Sequence, residues 1–343
     1  MAYDLDADDR IDPRIKGFLK LLPDQPAKDV KDRDQILAMA SSPSGLQSAL
    51  EMQQLTEICD DENIAPSKGL RFVTHEVKSK PDGNTILLQV IRPDNDETLP
   101  CVYYIHGGGM ASLSSFYGNY RAWGRIIASK GVAVVLVEFR NSVVPSKVPE
   151  VAPYPAGLND CVSGLKWTHD NAASLNIDPK QIVVAGESGG GNLTLATGLK
   201  LKREGSLDLI KGLYALCPYI AGHWPDDRLP SSYENDGIFL NLHSNSGAMS
   251  YGIDAYKKGD PLAWPLFATK EDVEGFPPTV ISVNECDPLR DEGIAFYRLL
   301  LSAGVAARGR VVLGTMHGAE VVVIVTPEIS HDTARDIAAF ALS

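Results

Sequence analysis

The stretch AGESGGGNLT, residues 185–194, sets one hydroxyl, that of Ser188, among glycines directly after the apolar run QIVVA. Glycine weakens both a strand and a helix start, so its clustering here implies a very sharp turn or a close approach to the backbone. A serine becomes a nucleophile only with a base beside it, and the tetrahedral oxyanion formed by its attack needs backbone donors. The stretch YYIHGGGMAS can supply such donors, because the glycines of His106-Gly107-Gly108-Gly109 let N–H groups crowd a ligand. It does not fit a dinucleotide site, since G-x-G-x-x-G would need glycine where Ser112 stands. Neither HExxH, nor a P-loop, nor paired cysteine ligands occur, so no metal and no cofactor is expected.

These residues must be carried by regular elements. From about residue 70 the sequence alternates short apolar runs with helical patterns. LRFVTHEV and TILLQVIRP read as paired strands joined by the turn KPDGN. CVYYI, VAVVLVEF, IVVAG, GLYALC, TVISVNE and ARGRVVLG read as further strands, most of them followed by a helix. Continuous apolar strands alternating with helices predict an α/β fold with a mostly parallel central sheet covered on both faces. Residues 1–66 differ in character and carry one helical stretch, SGLQSALEMQQLTEIC, with Leu46, Leu50, Leu55 and Ile58 on one face. They are expected to form a helical cap on a catalytic domain spanning 67–343. A segment at about 218–270 lacks the alternation and is expected to be a lid-like insertion.

In this frame G-x-S-x-G lies between a strand and a helix, the setting of an α/β-hydrolase nucleophile elbow. That fold places an acid and then a histidine after later strands. Asp287 follows TVISVNE; Asp260 repeats the local DPL sequence but has no strand before it. His317 follows RVVLG, whereas His331 reads as part of the last helix. His75, His106 and His169 precede the serine, and His223 and His243 precede the acid. The expected triad is therefore Ser188, Asp287 and His317. His106 is expected to orient the glycine loop. Glu187 could brace nearby backbone, brace a cap residue, or merely stand next to the serine.

HGGG, GESGGGN, DPLRDEG and HG together resemble the hormone-sensitive-lipase-like esterases, over the span from about residue 70 to the end. The resemblance implies an α/β-hydrolase fold with an N-terminal helical cap. By motif matching it implies oxyanion donors at the N–H groups of Gly108, Gly109 and Gly189. The commoner form of the elbow in that family is GDSAGG; Glu187 and Gly189 depart from it, and Gly189 keeps its N–H. The implied activity is that of a serine carboxylesterase acting on small-molecule esters through an acyl-enzyme, with lactones among the substrates to be considered. An amidase or carbamate hydrolase would use the same triad. A ligand-binding protein on the same scaffold would be expected to have lost a triad member, and all three are in place. Homodimers are common in the family.

Bulk composition agrees. The 32 Lys and Arg against 44 Asp and Glu give a net charge of −12, and no basic run appears, so no nucleic-acid partner is expected. No apolar run reaches the ~18 residues of a membrane helix, and the acidic start does not read as a signal peptide. Cys59, Cys101, Cys161, Cys217 and Cys286 are odd in number and widely spaced, which suits reduced thiols and a cytoplasmic location.

Overall fold

The structure, a computed structural model, describes residues 3–22 and 27–343. Residues 1–2 and 23–26 of the expected cap segment lie outside the described residues. The N-terminal part forms α1 (Pro13–Leu19), α2 (Arg33–Ala40) and α3 (Pro43–Glu57). The body follows as β1 (Leu70–Lys78), β2 (Thr85–Pro93), β3 (Leu99–Ile105), α4 (Gly118–Ala128), β4 (Ala133–Glu138), α5 (Ala156–Asp170), β5 (Ile177–Glu187), α6 (Gly189–Arg203) and β6 (Gly212–Leu216). Four short helices fill the next segment: α7 (Ser231–Glu234), α8 (Ser246–Tyr251), α9 (Ile253–Lys257) and α10 (Lys270–Val273). The chain ends with β7 (Thr279–Asn284), α11 (Arg290–Ser302), β8 (Ala307–Val312) and α12 (Pro327–Leu342).

The eight strands form one sheet in the order β1-β2-β4-β3-β5-β6-β7-β8. Only the β1–β2 and β2–β4 pairs are antiparallel; every pair from β4 to β8 is parallel. The period of two along a strand splits β3 between two cores. Cys101, Tyr103 and Ile105 join Leu158 of α5 and Leu195 of α6 on one face. Val102 and Tyr104 join Trp123 of α4 and Ile337 of α12 on the other. Both faces being covered, β3, β4, β6 and β7 are buried along their whole lengths. Each fully buried large apolar side chain stabilises the fold by about 1.5–3 kcal/mol relative to exposure.

Among its described residues the N-terminal part holds three helices where the sequence pattern suggests one. α1 and α2 are short and lack a clear apolar period; their signals are caps. The Asp12 carboxylate accepts from the Arg14 N–H with Pro13 at the first helical position, and the Asp32 carboxylate accepts from the Gln35 N–H. On α3 the expected face is not packed as a unit, since Leu46 and Leu50 are exposed, as is Ile58 just beyond its end. α1 is anchored differently. Ile11 and Ile15 enter a third, smaller core with Ile238, Cys286, Met316 and Ala319.

Candidate active site

The C-terminal ends of the parallel strands carry the predicted residues. β5 runs into Ser188, whose φ of 57° and ψ of −120° lie outside the regions comfortable for a side chain. The turn is held from both sides: the Ser188 N–H donates to the Leu216 carbonyl at 3.0 Å, and the Ser188 carbonyl accepts from the N–H of Tyr219 at 3.0 Å and of Asn192 at 3.0 Å. The glycines permit close backbone contact. A Cβ on Gly190 would strike the carbonyls of Ile105 and His106, and one on Gly189 would come within 2.8 Å of the Gly109 nitrogen. The elbow is thus seated directly on the loop after β3. In that loop Gly108 and Gly109 have φ of 90° and 61°, which glycine adopts without strain. The N-terminal end of α6, at Gly189, opens towards the same loop, and such an end favours negative charge.

Asp287 follows β7 and His317 follows β8. The His317 Nδ1 lies 2.8 Å from the Asp287 Oδ2, and the other carboxylate oxygen accepts the Leu289 N–H at 2.8 Å. Asp287 is fully buried and His317 is 4 % exposed. An ionised carboxylate can only accept, so Nδ1 carries the proton and Nε2 keeps its lone pair. Burial by itself disfavours the imidazolium; the Asp287 charge and the neighbouring Cys217 sulfur outweigh it and hold His317 well above the usual histidine range.

Ser188, His317, Gly108 and Gly109 border one cavity of about 540 Å³. Asp287 and Gly189 are not among the residues that line it. Ser112, Leu113, Asn119 and Tyr120, after β3, and Glu187 line it too, and its further apolar wall comes mainly from three parts of the chain. The N-terminal part contributes Phe18, Leu22, Met52 and Leu55; the segment after β6 contributes Phe239, Leu240 and Leu242; Val321 and Val322 follow His317. The competing candidates lie elsewhere. Asp260 accepts from the Tyr154 hydroxyl at 2.7 Å. His331, on α12, sits by the Ile64 carbonyl and the Lys130 ammonium, and burial and that ammonium push its pKa down.

Several groups acquire roles that the motifs did not reveal. The Glu187 carboxylate is buried and accepts from the hydroxyls of Tyr104 at 2.6 Å and Tyr120 at 2.5 Å and from the Gly107 N–H at 2.7 Å. Of the readings open from sequence, backbone bracing is the one observed: Glu187 ties the elbow to the glycine loop. Burial pushes its pKa up to about 7 against the pull of those donors. His106 lies flat on Phe139, with centroids 4.3 Å apart, and its Nδ1 meets the Gly107 carbonyl at 2.9 Å. Burial pushes its pKa down, as suits a neutral spacer in the loop. Asn235, also buried, donates to the carbonyls of Glu285 at 3.2 Å and Asp287 at 3.0 Å. The Cys217 sulfur lies within 4.8 Å of ligating atoms of both Asp287 and His317. No local motif marks Asn235 or Cys217, because each reaches the site only through the fold.

The mostly parallel sheet with a serine elbow at its centre defines a class, and sequence comparison agrees. The chain belongs to the Abhydrolase_3 family of the alpha/beta hydrolase fold, whose model matches residues 102–321. It is a carboxylic ester hydrolase of the hormone-sensitive-lipase-like kind. Among solved structures it is similar to esterase Est22 with p-nitrophenol, at 61 % identity over 98 % of this chain and 99 % of that one, TM-score 0.96. It is also similar to brefeldin A esterase, described as a bacterial homologue of human hormone sensitive lipase, at 35 % identity over 98 % and 94 % of the two chains, TM-score 0.85. Among curated proteins it is 31 % identical to carboxylesterase NlhH of Mycobacterium tuberculosis (strain CDC 1551 / Oshkosh) over 246 residues, 71 % of this chain and 73 % of that protein.

Proposed function

We propose that the protein hydrolyses carboxylic esters through an acyl-enzyme on Ser188. The observation that carries this reading is that His317, paired with the buried Asp287, borders the same cavity as Ser188. In this mechanism His317 Nε2 takes the serine proton as Ser188 attacks the ester carbonyl. Asp287 keeps the imidazole in the required tautomer and stabilises its cation. The oxyanion is held by the N–H groups of Gly108, Gly109 and Gly189; among the described residues none of the three has an intramolecular hydrogen-bond partner, which supports that role. His317 then protonates the leaving alcohol and activates water to release the acid.

The same reading makes residues 1–66 a cap and the 218–270 segment a lid over a catalytic domain of residues 67–343. Its support is that both contribute apolar walls to the cavity. No lysine or arginine is among the described residues of the wall, so the reading favours uncharged acyl and alcohol groups. The test is Ser188→Ala together with a phosphonate ester. The variant is expected to fold and to lose roughly 10⁴–10⁶-fold in kcat, and the wild type to carry the phosphonate on Ser188. A Ser188→Ala protein that stays active, with the label on another serine, removes the assignment. A panel of p-nitrophenyl esters of rising acyl length, lactones and amides defines the substrate.

A further inference from the structure

Cys217, the residue after β6, has an unusual posture. Its φ is 32°, uncommon for a residue with a side chain, and its N–H is locked to the Ser282 carbonyl at 2.7 Å. This places a fully buried sulfur against the buried Asp287–His317 pair. One nitrogen of His317, one carboxylate oxygen of Asp287 and the Cys217 sulfur all lie within 4.8 Å of one another. The three follow three neighbouring strands, β6, β7 and β8, by one, three and five residues. A nitrogen, an oxygen and a sulfur donor with one position left for water make the donor set of a three-ligand zinc site. The thiolate selects zinc and softer ions over magnesium or calcium.

We propose that Cys217, Asp287 and His317 form an inhibitory site for a thiophilic divalent cation, with Zn²⁺ the expected occupant. The ion enters through the cavity that His317 borders. It bonds to the sulfur as the thiol releases its proton to solvent. It bonds as well to the carboxylate and to the neutral imidazole, so where His317 starts as the imidazolium a second proton is released. If Nε2 is the ligand, the lone pair facing the cavity is consumed. If Nδ1 is the ligand, its proton moves to Nε2. In either case His317 can no longer accept the serine proton, and hydrolysis stops without any change at Ser188. The inhibitory effect rests on the serine-esterase reading; the binding does not.

The experiment uses the full-length protein and metal salts alone. Co²⁺ is titrated in and the near-ultraviolet thiolate-to-cobalt charge-transfer band is followed, with the proton release measured in weak buffer. Zn²⁺ is expected to displace the cobalt, to inhibit ester hydrolysis, and to be reversed by a chelator. Cys217→Ala should lose the band, and its inhibition constant for Zn²⁺ should rise by more than about 10-fold, since even outer-shell changes at metal sites cost 10–100-fold. Cys217→Ser, the closer isostere, should bind cobalt without the band, which guards against a folding defect in the alanine variant. Cys59→Ala, which removes another buried thiol, should keep the band. Cobalt binding with no thiolate band, or equal Zn²⁺ inhibition of the wild type and Cys217→Ala, overturns the proposal. Phosphonate labelling of Ser188 is scored separately, so a failure of the nucleophile assignment is told apart from a failure of the metal site.

Discussion

His317 and Glu187 both line the cavity, and each shows how burial is turned to use. Sequence alone suggests that activity rises with pH through an ionisation in the ordinary histidine range, about 6–7. With Asp287 at 2.8 Å in a dry setting, the imidazolium is favoured. The neutral base therefore appears only at higher pH, and the rising limb of kcat/KM is expected above 6.5. Replacing Asp287 with Asn removes the charge that raises it. In Asp287→Asn the limb should move to lower pH while the plateau falls steeply, by about 10⁴ if the wrong tautomer is imposed. A pH–rate profile of the two proteins measures both effects. Glu187 acts through the backbone. Glu187→Ala would leave the Gly107 N–H and two buried phenols short of an acceptor, each at about 1–3 kcal/mol. The glycine loop should shift and kcat should drop by roughly 10²-fold. Glu187→Gln, which keeps an accepting oxygen, should recover most of the loss; equal damage in the two variants would show that the charge, not the bracing, matters.

Elements differ in how plainly they announce themselves. The strands before the loops of His106, Ser188 and Asp287 carry apolar runs, CVYYI, IVVA and TVISV, so the sheet and these positions are legible from sequence; β8 before His317 is half exposed, and that histidine is legible from its order after the acid. The N-terminal part is not, because α1 and α2 are too short for a periodic face and their docking depends on distant partners. α1 is in fact tied to the acid loop. The Arg10 guanidinium donates to the Asn235 side-chain Oδ1 at 3.1 Å, and the Asn235 amide N–H in turn donates to the Asp287 carbonyl. The Asp12 N–H donates to the Gly314 carbonyl at 3.0 Å, three residues before His317. Arg10→Ala should therefore lower kcat about 10-fold, worth about 1.4 kcal/mol of barrier, with little change in KM. Arg10→Lys should restore part of it. Steady-state kinetics on one ester checks this; a change confined to KM would make the arm a substrate wall only. Trimming the first ~40 residues is expected to slow every ester, beyond any change in acyl preference, because it also uncovers Cys286 and Met316.

Across the whole molecule, the buried carboxylates give stability a pH dependence. Glu292 accepts from the N–H groups of Ile220 at 2.5 Å and Ala221 at 3.2 Å and from the Trp224 indole at 2.7 Å, so it pins the segment after β6 to α11. Burial pushes its pKa up to about 8, and that of Glu187 to about 7, from 4.5. The folded state then holds protons that the unfolded chain has released. Their stabilisation is fully present below pH 4.5 and is lost as pH rises through 7 and 8. The raised His317 has the same sign. Tm should fall from pH 5 to pH 9, and Glu292→Gln should flatten the decline. Thermal melts at pH 5, 6, 7, 8 and 9 test it; parallel curves for the two proteins would rule Glu292 out as a source.

The docking of α1 also sets a clock on biosynthesis. Arg10 leaves the ribosome 225 residues ahead of Asn235. Ile11 and Ile15 are made before Cys286 and Met316, the residues they pack against. At 5–20 residues per second the arm waits roughly 10–45 s for Asn235 alone. Until then its two isoleucines have no native surface to cover, and they are a natural handle for a chaperone. Asp287 likewise emerges before His317, so their buried pair forms late. α1 is made well before the residues it docks on, so its docking waits for Asn235, Cys286 and Met316.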